Sequence, residues 1–247
     1  MMSSVFIKGK TVIRNCAKEP EIVDLQKFLN AMGAKIKGAG SSVIVVEGVD
    51  KLHGVEYTPI PDRIVAGTYL IATAMCGGNV ELRNVNSEHI SSLISKLSKT
   101  TCKIYVKNDR IIVKSKGRQK SLDCIETMYY PGFPTDLQSQ IMAMQTVSRG
   151  TSVIVENIFE TRFKTASELK KLGADITIKG RVAVVNGVKE LTGSEVVATD
   201  LRGGASLVLA GLVANGETVV KDIHHIDRGY EDMSLDLSAL GANIRRV

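Results

Sequence analysis

Two kinds of apolar pattern alternate along this chain. Ile64 to Cys76 (IVAGTYLIATAMC) and Ala205 to Ala214 (ASLVLAGLVA) are apolar nearly all round a helix, which predicts helices buried on every side. Ile90, Leu93, Ile94 and Leu97 instead fall at i, i+3, i+4 and i+7, so a helix there buries one face only. Pro20, after Glu19, suits a first helical position, where a missing N–H costs nothing. Lys103 to Lys120 (KIYVKNDRIIVKSKGRQK) alternates lysines with β-branched residues and predicts a strand hairpin turning at Asn108 and Asp109, its charges on a solvated face. The pattern as a whole predicts helices inside and sheets as the outer layer.

The same unit returns at intervals near 70 residues. A strand led by glycine recurs as GKTVIRN, GNVELRN, GTSVIVEN and GETVVKD, with Val12, Val80, Val153 and Val219 spaced by 68, 73 and 66. A helix closing on a strand recurs as MGAKI, KTTCKI, LGADI and LGANI, its isoleucines spaced by 68, 72 and 68. EGVDKLHG matches NGVKELTG at an offset of 139, which also carries Arg63 onto Arg202. Each unit reads as helix, strand, helix, then strands. MMSSVFIKG reads as the end of a first helix, and the fourth unit stops at IRRV without the hairpin that follows MGAKI and LGADI, so the expectation is of a unit unfinished at both ends.

Four segments carry candidate chemistry: FPTDLQ, FETRF, TDLRGGAS and HIDRGYE. Each places an aspartate or arginine at what reads as a helix start, where free N–H groups and the macrodipole favour anions. Arg162, Arg202 and Arg228 form the cationic set. Against this stands the plainer reading that each arginine is a solvated surface group and that Asp136 and Asp200 are helix caps, a role Thr135 and Thr199 could share.

Charge agrees with an anionic partner, since the 247 residues carry a formal net charge of +6. The basic hairpin is not a nucleic-acid surface: it holds only Tyr105 for stacking, and the chain has no Trp. Cys16, Cys76, Cys102 and Cys124 form no CxxC or Cys/His pattern, so neither zinc, another metal nor a disulfide framework is expected, and buried thiols are. No run is long enough to span a bilayer and no secretory leader is visible, which places the expectation in the cytoplasm, away from membranes.

AKEPEIVDLQKFLNAMGAKI, PDRIVAGTYLIA, FPTDLQSQ, FETRFKTASELKKLGA, ATDLRGGASLVLAG and HHIDRGYE together resemble the C-terminal part of the UDP-N-acetylglucosamine enolpyruvyl transferases, over almost the whole chain. The resemblance implies an inside-out α/β barrel of repeated βαβαββ units, truncated at the N-terminus, in a family of two domains with the active site in the cleft between them. Residues 1–60 would then be the last, incomplete repeat of the N-terminal domain, and residues 61–247 the C-terminal domain without the strands that a missing N-terminal segment supplies.

It also implies a reaction without cofactor: transfer of enolpyruvate from phosphoenolpyruvate to the 3-hydroxyl of UDP-N-acetylglucosamine, in peptidoglycan synthesis. Asp136 matches the family's base and sugar-hydroxyl contact, and Ile158 a backbone contact to the sugar nucleotide. Arg162, Arg202 and Arg228 match residues facing phosphoenolpyruvate, Asp200 an arginine-orienting or substrate-contacting carboxylate, and Asp62 and Arg63 a position at the domain junction. His224 and His225 match no chemistry. The family's Lys-Asn pair, its mobile loop with the catalytic Cys or Asp, and its uridine pocket have no counterpart here, so the chain alone is expected to be inactive, with a separate N-terminal half as its partner. The alternative is a non-catalytic module that binds anions or sugar nucleotides.

Overall fold

The structure, a computed structural model, describes residues 1–247 and divides into two compact units. The first comprises Met1–Pro61 and Tyr129–Gly132. In it β1 (Lys10–Arg14), β2 (Lys35–Lys37) and β3 (Val43–Glu47) form an antiparallel sheet in the order β1-β3-β2, with α1 (Pro20–Ala31) between β1 and β2 in sequence. Pro20 opens α1 directly after Glu19, as the sequence predicts. Val5, Leu29, Ala34, Ile36, Ile44 and Val46 make its small core.

The second unit comprises Asp62–Met128 and Phe133–Val247. Its chain runs through α2 (Arg63–Cys76), β4 (Gly78–Arg83), α3 (Ser91–Leu97), β5 (Lys103–Lys107), β6 (Arg110–Ser115), β7 (Cys124–Glu126) and α4 (Gln138–Thr146). It continues through β8 (Thr151–Val155), α5 (Thr165–Lys171), β9 (Asp175–Lys179), β10 (Val182–Asn186), β11 (Leu191–Thr192) and β12 (Glu195–Val197). Last come α6 (Leu201–Gly211), β13 (Ala214–Asn215), β14 (Val219–Lys221), α7 (His224–Asp227) and α8 (Met233–Ala239).

Helices α2, α4 and α6 pack on one another at the centre, and the sheets lie outside them. Those sheets are β4-β6-β5, β7-β8-β10-β9 and the parallel pairs β11-β13 and β12-β14. Every residue of α4 is buried although QSQIMAMQT is half polar, so this central helix escaped the hydropathy pattern that found α2 and α6. Helix α6 stops at Gly211, before the apolar run does, and Ala214 already belongs to β13. The basic hairpin forms as β5 and β6, turning at Asn108 with φ 51°; Ile111 and Val113 face inward and Arg110 and Lys114 outward.

The repeat is written into the backbone. Gly33, Gly173 and Gly241, of the MGA and LGA motifs, adopt φ of 101°, 91° and 96° directly after their helices. Each donates its N–H three residues back, to Asn30, Lys170 and Ser238, while the next alanine donates five residues back, to Leu29, Leu169 and Leu237. This paired closure satisfies carbonyls the helix end would otherwise leave free, and only a left-handed residue permits it cheaply. The repeats then diverge: Gly173 leads into the β9–β10 hairpin, whereas Gly241 leads into residues 242–247, which form no strand. A cavity of about 600 Å³ opens there, lined by α6, β14, the start of α8 and residues 243–247.

The expectation of buried thiols holds for Cys102 alone. Cys76 and Cys124 are exposed and Cys16 is intermediate, because the first two fall at a helix end and on an outward strand position.

Candidate functional site

Asp200 is the N-cap of α6, its Oδ1 accepting the N–H groups of Arg202 and Gly203, both at 2.9 Å. This carboxylate fixes the helix start and with it Arg202, at the second helical position. Asp62 caps α2 in the same way, through Ile64 and Val65, but there Arg63 is the first helical residue. The offset of 139 that aligns the arginines therefore pairs Asp62 with Leu201, and the two helices start one residue out of step.

Arg162 lies in the 3-10 turn Arg162–Lys164 just before α5 and is 7% exposed. Its guanidinium is held on every side. Nη2 donates to Asp136 Oδ1 at 3.2 Å, Nε donates to the Thr135 hydroxyl at 3.3 Å, and Nη1 stands 3.7 Å from Asp200 Oδ1. Its planar face rests on the Phe159 ring, 4.5 Å from the centroid. Arg202 reaches the same carboxylate oxygen, with Nε 3.4 Å from Asp136 Oδ1.

These contacts show which of the two aspartates is a helix cap. Asp136 is not a cap: Pro134 precedes the 3-10 turn Thr135–Leu137, α4 begins only at Gln138, and neither start receives a side-chain bond. Its Oδ1 serves two guanidiniums, while Oδ2 has no partner and the side chain is 41% exposed. Asp200 fills both roles, as cap and as ion partner of Arg162. Arg202 is otherwise largely covered, and its Nη1 is buried without a hydrogen-bond partner. A buried unpaired donor costs roughly 1–3 kcal/mol, more when charged, and an anionic oxygen would remove that cost.

Two predicted positions behave differently. Arg228 does not start a helix; it is the C-terminal cap of the single turn α7, exposed and without an ion pair. The macrodipole there disfavours anions, so only its own charge could serve one. The neighbouring Gly229 nonetheless packs on Leu201, where an added Cβ would lie 2.7 Å from a methyl carbon, so the Arg228 backbone runs beside the start of α6. The Ile158 N–H is already given to Glu156 Oε1 at 2.9 Å, which leaves its carbonyl for any ligand. The His224 and His225 rings meet at a tilt of 37°, their centres 4.1 Å apart. Sequence reasoning missed Glu156 and Phe159 as members; Phe159 lay within one of the four candidate segments, and Glu156 only in the repeated strand GTSVIVEN. No group of three or more His, Cys, Asp or Glu side chains is placed to hold a metal, and no helix is long and apolar enough to cross a membrane.

The profile of EPSP synthase (3-phosphoshikimate 1-carboxyvinyltransferase) matches residues 1–237. The chain belongs to the EPSP synthase family. Its similarity to UDP-N-acetylglucosamine 1-carboxyvinyltransferase 1 of Caldanaerobacter subterraneus subsp. tengcongensis is 56% identity over 246 residues, covering all of this chain and 59% of that protein. The UDP-N-acetylglucosamine 1-carboxyvinyltransferase of Myxococcus xanthus is 53% identical over 246 residues, of which this chain covers 58% of the length. The chain thus spans somewhat under three fifths of these curated relatives.

Among solved structures, the enolpyruvyl transferase NikO from Streptomyces tendae superimposes with a TM-score of 0.85 at 29% identity, over 98% of this chain and 58% of that one. EPSP synthase from Acinetobacter baumannii shares the fold, with a TM-score of 0.71 at 19% identity, over 100% of this chain and 60% of that one. As a member of the EPSP synthase family the chain has the inside-out α/β barrel fold, with α2, α4 and α6 as its inner helices.

Proposed function

We propose that this chain supplies one wall of the active site of a transferase that moves enolpyruvate from phosphoenolpyruvate to the 3-hydroxyl of UDP-N-acetylglucosamine, in the cytoplasmic stage of peptidoglycan synthesis and cell-wall biogenesis. The observation that carries the reading is the buried, unpartnered Nη1 of Arg202 beside an Asp136 whose Oδ2 is free.

In this reading Arg162, Arg202 and Arg228 hold the phosphate and carboxylate of phosphoenolpyruvate. Arg162 arrives pre-oriented by Asp136, Asp200 and Thr135, so little ordering remains when substrate binds. Asp136 Oδ2 accepts the hydrogen of the sugar 3-hydroxyl and takes its proton as the oxygen attacks the enol carbon. The Ile158 carbonyl accepts a hydrogen bond from the sugar nucleotide. The three arginines and two aspartates sum to a single positive charge, too little for a trianion, so further cations and the acid that protonates the methylene come from outside these residues. The greater length of the relatives supports a separate N-terminal half, with residues 1–60 closing its last repeat and residues 61–247 forming the C-terminal domain.

Calorimetric titration with phosphoenolpyruvate, beside an assay of phosphate release, tests this. The 247-residue chain is expected to bind weakly and release no phosphate, and Arg202→Ala to abolish binding. Unchanged affinity in Arg202→Ala would sink the site, and family-like turnover by the chain alone would sink the one-wall reading. The second reading, a non-catalytic binding module, is favoured by the same Arg202 donor. It requires that turnover stay absent when an N-terminal half is added.

A further inference from the structure

Glu156, the residue directly after β8, is 2% exposed and meets no cation. Both of its oxygens are nevertheless hydrogen-bonded. Oε1 accepts from the Thr127 hydroxyl at 2.7 Å and from the N–H groups of Ile158 and Phe159, both at 2.9 Å; Oε2 accepts from the Thr135 hydroxyl at 3.0 Å. Thr127 in turn accepts the Asn157 N–H at 2.9 Å. One carboxylate therefore ties the strand end to both segments that carry the site, 133–138 and 159–163.

The direction of these bonds matters. An ionised carboxylate can only accept, and a hydroxyl has one hydrogen to give. Thr135 must point that hydrogen at Glu156, which leaves its lone pairs facing outward, where Arg162 Nε donates at 3.3 Å. Thr135 is next to Asp136, and the Arg162 terminal nitrogen that pairs with Asp136 belongs to the same rigid fork. Phe159, whose ring carries the guanidinium face, is held by Glu156 through its own N–H.

We propose that Glu156 is a positioning residue of the site: it locks the Thr135 hydroxyl as an acceptor for Arg162 and so sets the Arg162–Asp136 geometry, while committing the Ile158 amide and leaving its carbonyl as the ligand contact. The consequence for substrate rests on the reading above; the lock itself rests on the bonds just given.

The arginine side-chain Nε–H resonance in a proton–nitrogen correlation spectrum reads the lock without ligand, with Arg162→Lys used to assign it. In the unsubstituted chain the Arg162 Nε–H is expected to be a dispersed, slowly exchanging signal. Thr135→Val, nearly isosteric, is expected to lose it, and Thr135→Ser to keep it. Glu156→Gln, which keeps the shape but, with its oxygen held by Thr127, Ile158 and Phe159, turns an NH2 toward the Thr135 hydroxyl, is expected to speed its exchange.

Titration with phosphoenolpyruvate is then expected to show affinity falling about three- to tenfold in Thr135→Val and Glu156→Gln and holding in Thr135→Ser. A general loss of folding would lower thermal stability in all three variants and would not be rescued by serine. Persistence of the protected signal in Thr135→Val or Glu156→Gln overturns the lock. A signal that behaves as described in a chain showing no response to phosphoenolpyruvate confirms the lock and sinks the substrate reading instead.

Discussion

Arg162 and Arg202 share one carboxylate oxygen, yet they differ in what folding asks of them. Arg162 spends its donors on Asp136, Thr135 and the neighbourhood of Asp200, whereas Arg202 leaves Nη1 without a partner. Arg162→Met is therefore expected to cost about 1–2 kcal/mol, a charged hydrogen-bond loss discounted because both aspartates are partly exposed. Arg202→Met is expected to stay within about 0.5 kcal/mol of the unsubstituted chain, because removing an unpaired buried donor offsets the lost Asp136 contact. Urea unfolding of the two variants checks the difference; equal losses would mean that Arg202 is as well satisfied as Arg162. At this scale the sequence exposed residues whose type announces chemistry, such as Asp136 and Arg162 in short motifs. It hid Glu156, whose role comes from four donors converging from separate segments, and it misplaced Arg228, because the turn that begins at His224 ends before it.

Helix α4 shows why elements were unequally legible. Alternation and all-round hydrophobicity mark α2, α6, β5 and β6, but α4 is central and carries Gln138, Ser139, Gln140 and Gln145. Some of these polar groups have partners: Gln140 Nε2 donates to Thr68 Oγ1 at 3.1 Å, and Thr68 is 2.8 Å from the Tyr230 hydroxyl. Gln138 has none, since both amide atoms are buried and unpaired. Gln138→Met, close in volume, is expected to stabilise the chain by about 1–3 kcal/mol in urea unfolding. A loss of stability would mean that an ordered water occupies the site.

Between α2 and α8, the Tyr69 hydroxyl donates to Asp236 at 2.6 Å. Burial, and then that hydrogen bond, push the phenol far above its ordinary value. A raised value means that the folded state keeps the proton longer than the unfolded one, so this contribution is complete below about pH 10 and declines as pH rises beyond it. Unfolding free energy measured from pH 9 to 11 is expected to fall, and Tyr69→Phe to flatten that fall; an unchanged slope would remove Tyr69 as its source.

Across the whole molecule the repeat was legible because glycines recur at fixed intervals, and the backbone gives the reason in Gly33, Gly173 and Gly241. The one-residue slip between the starts of α2 and α6 was not legible, since aligning the arginines conceals it. The two compact units have separate cores, and that of the first is a cluster of six buried residues. Small cores are marginal, so hydrogen exchange is expected to be faster in β1–β3 than in α2, α4 and α6. Equal protection would mean that the whole chain opens only by global unfolding.

The double duty of Asp200 entangles two traits that selection usually sees apart. Removing that side chain would alter protein abundance through the helix start and, in the proposed site, ligand affinity through Arg162, so a screen scoring survival alone would confuse them. Asp200→Asn separates the two, because an asparagine oxygen still caps a helix but carries no charge to face the guanidinium. Its thermal stability should stay near that of the unsubstituted chain while its affinity for phosphoenolpyruvate changes, making position 200 the natural place to measure the pleiotropy of this fold.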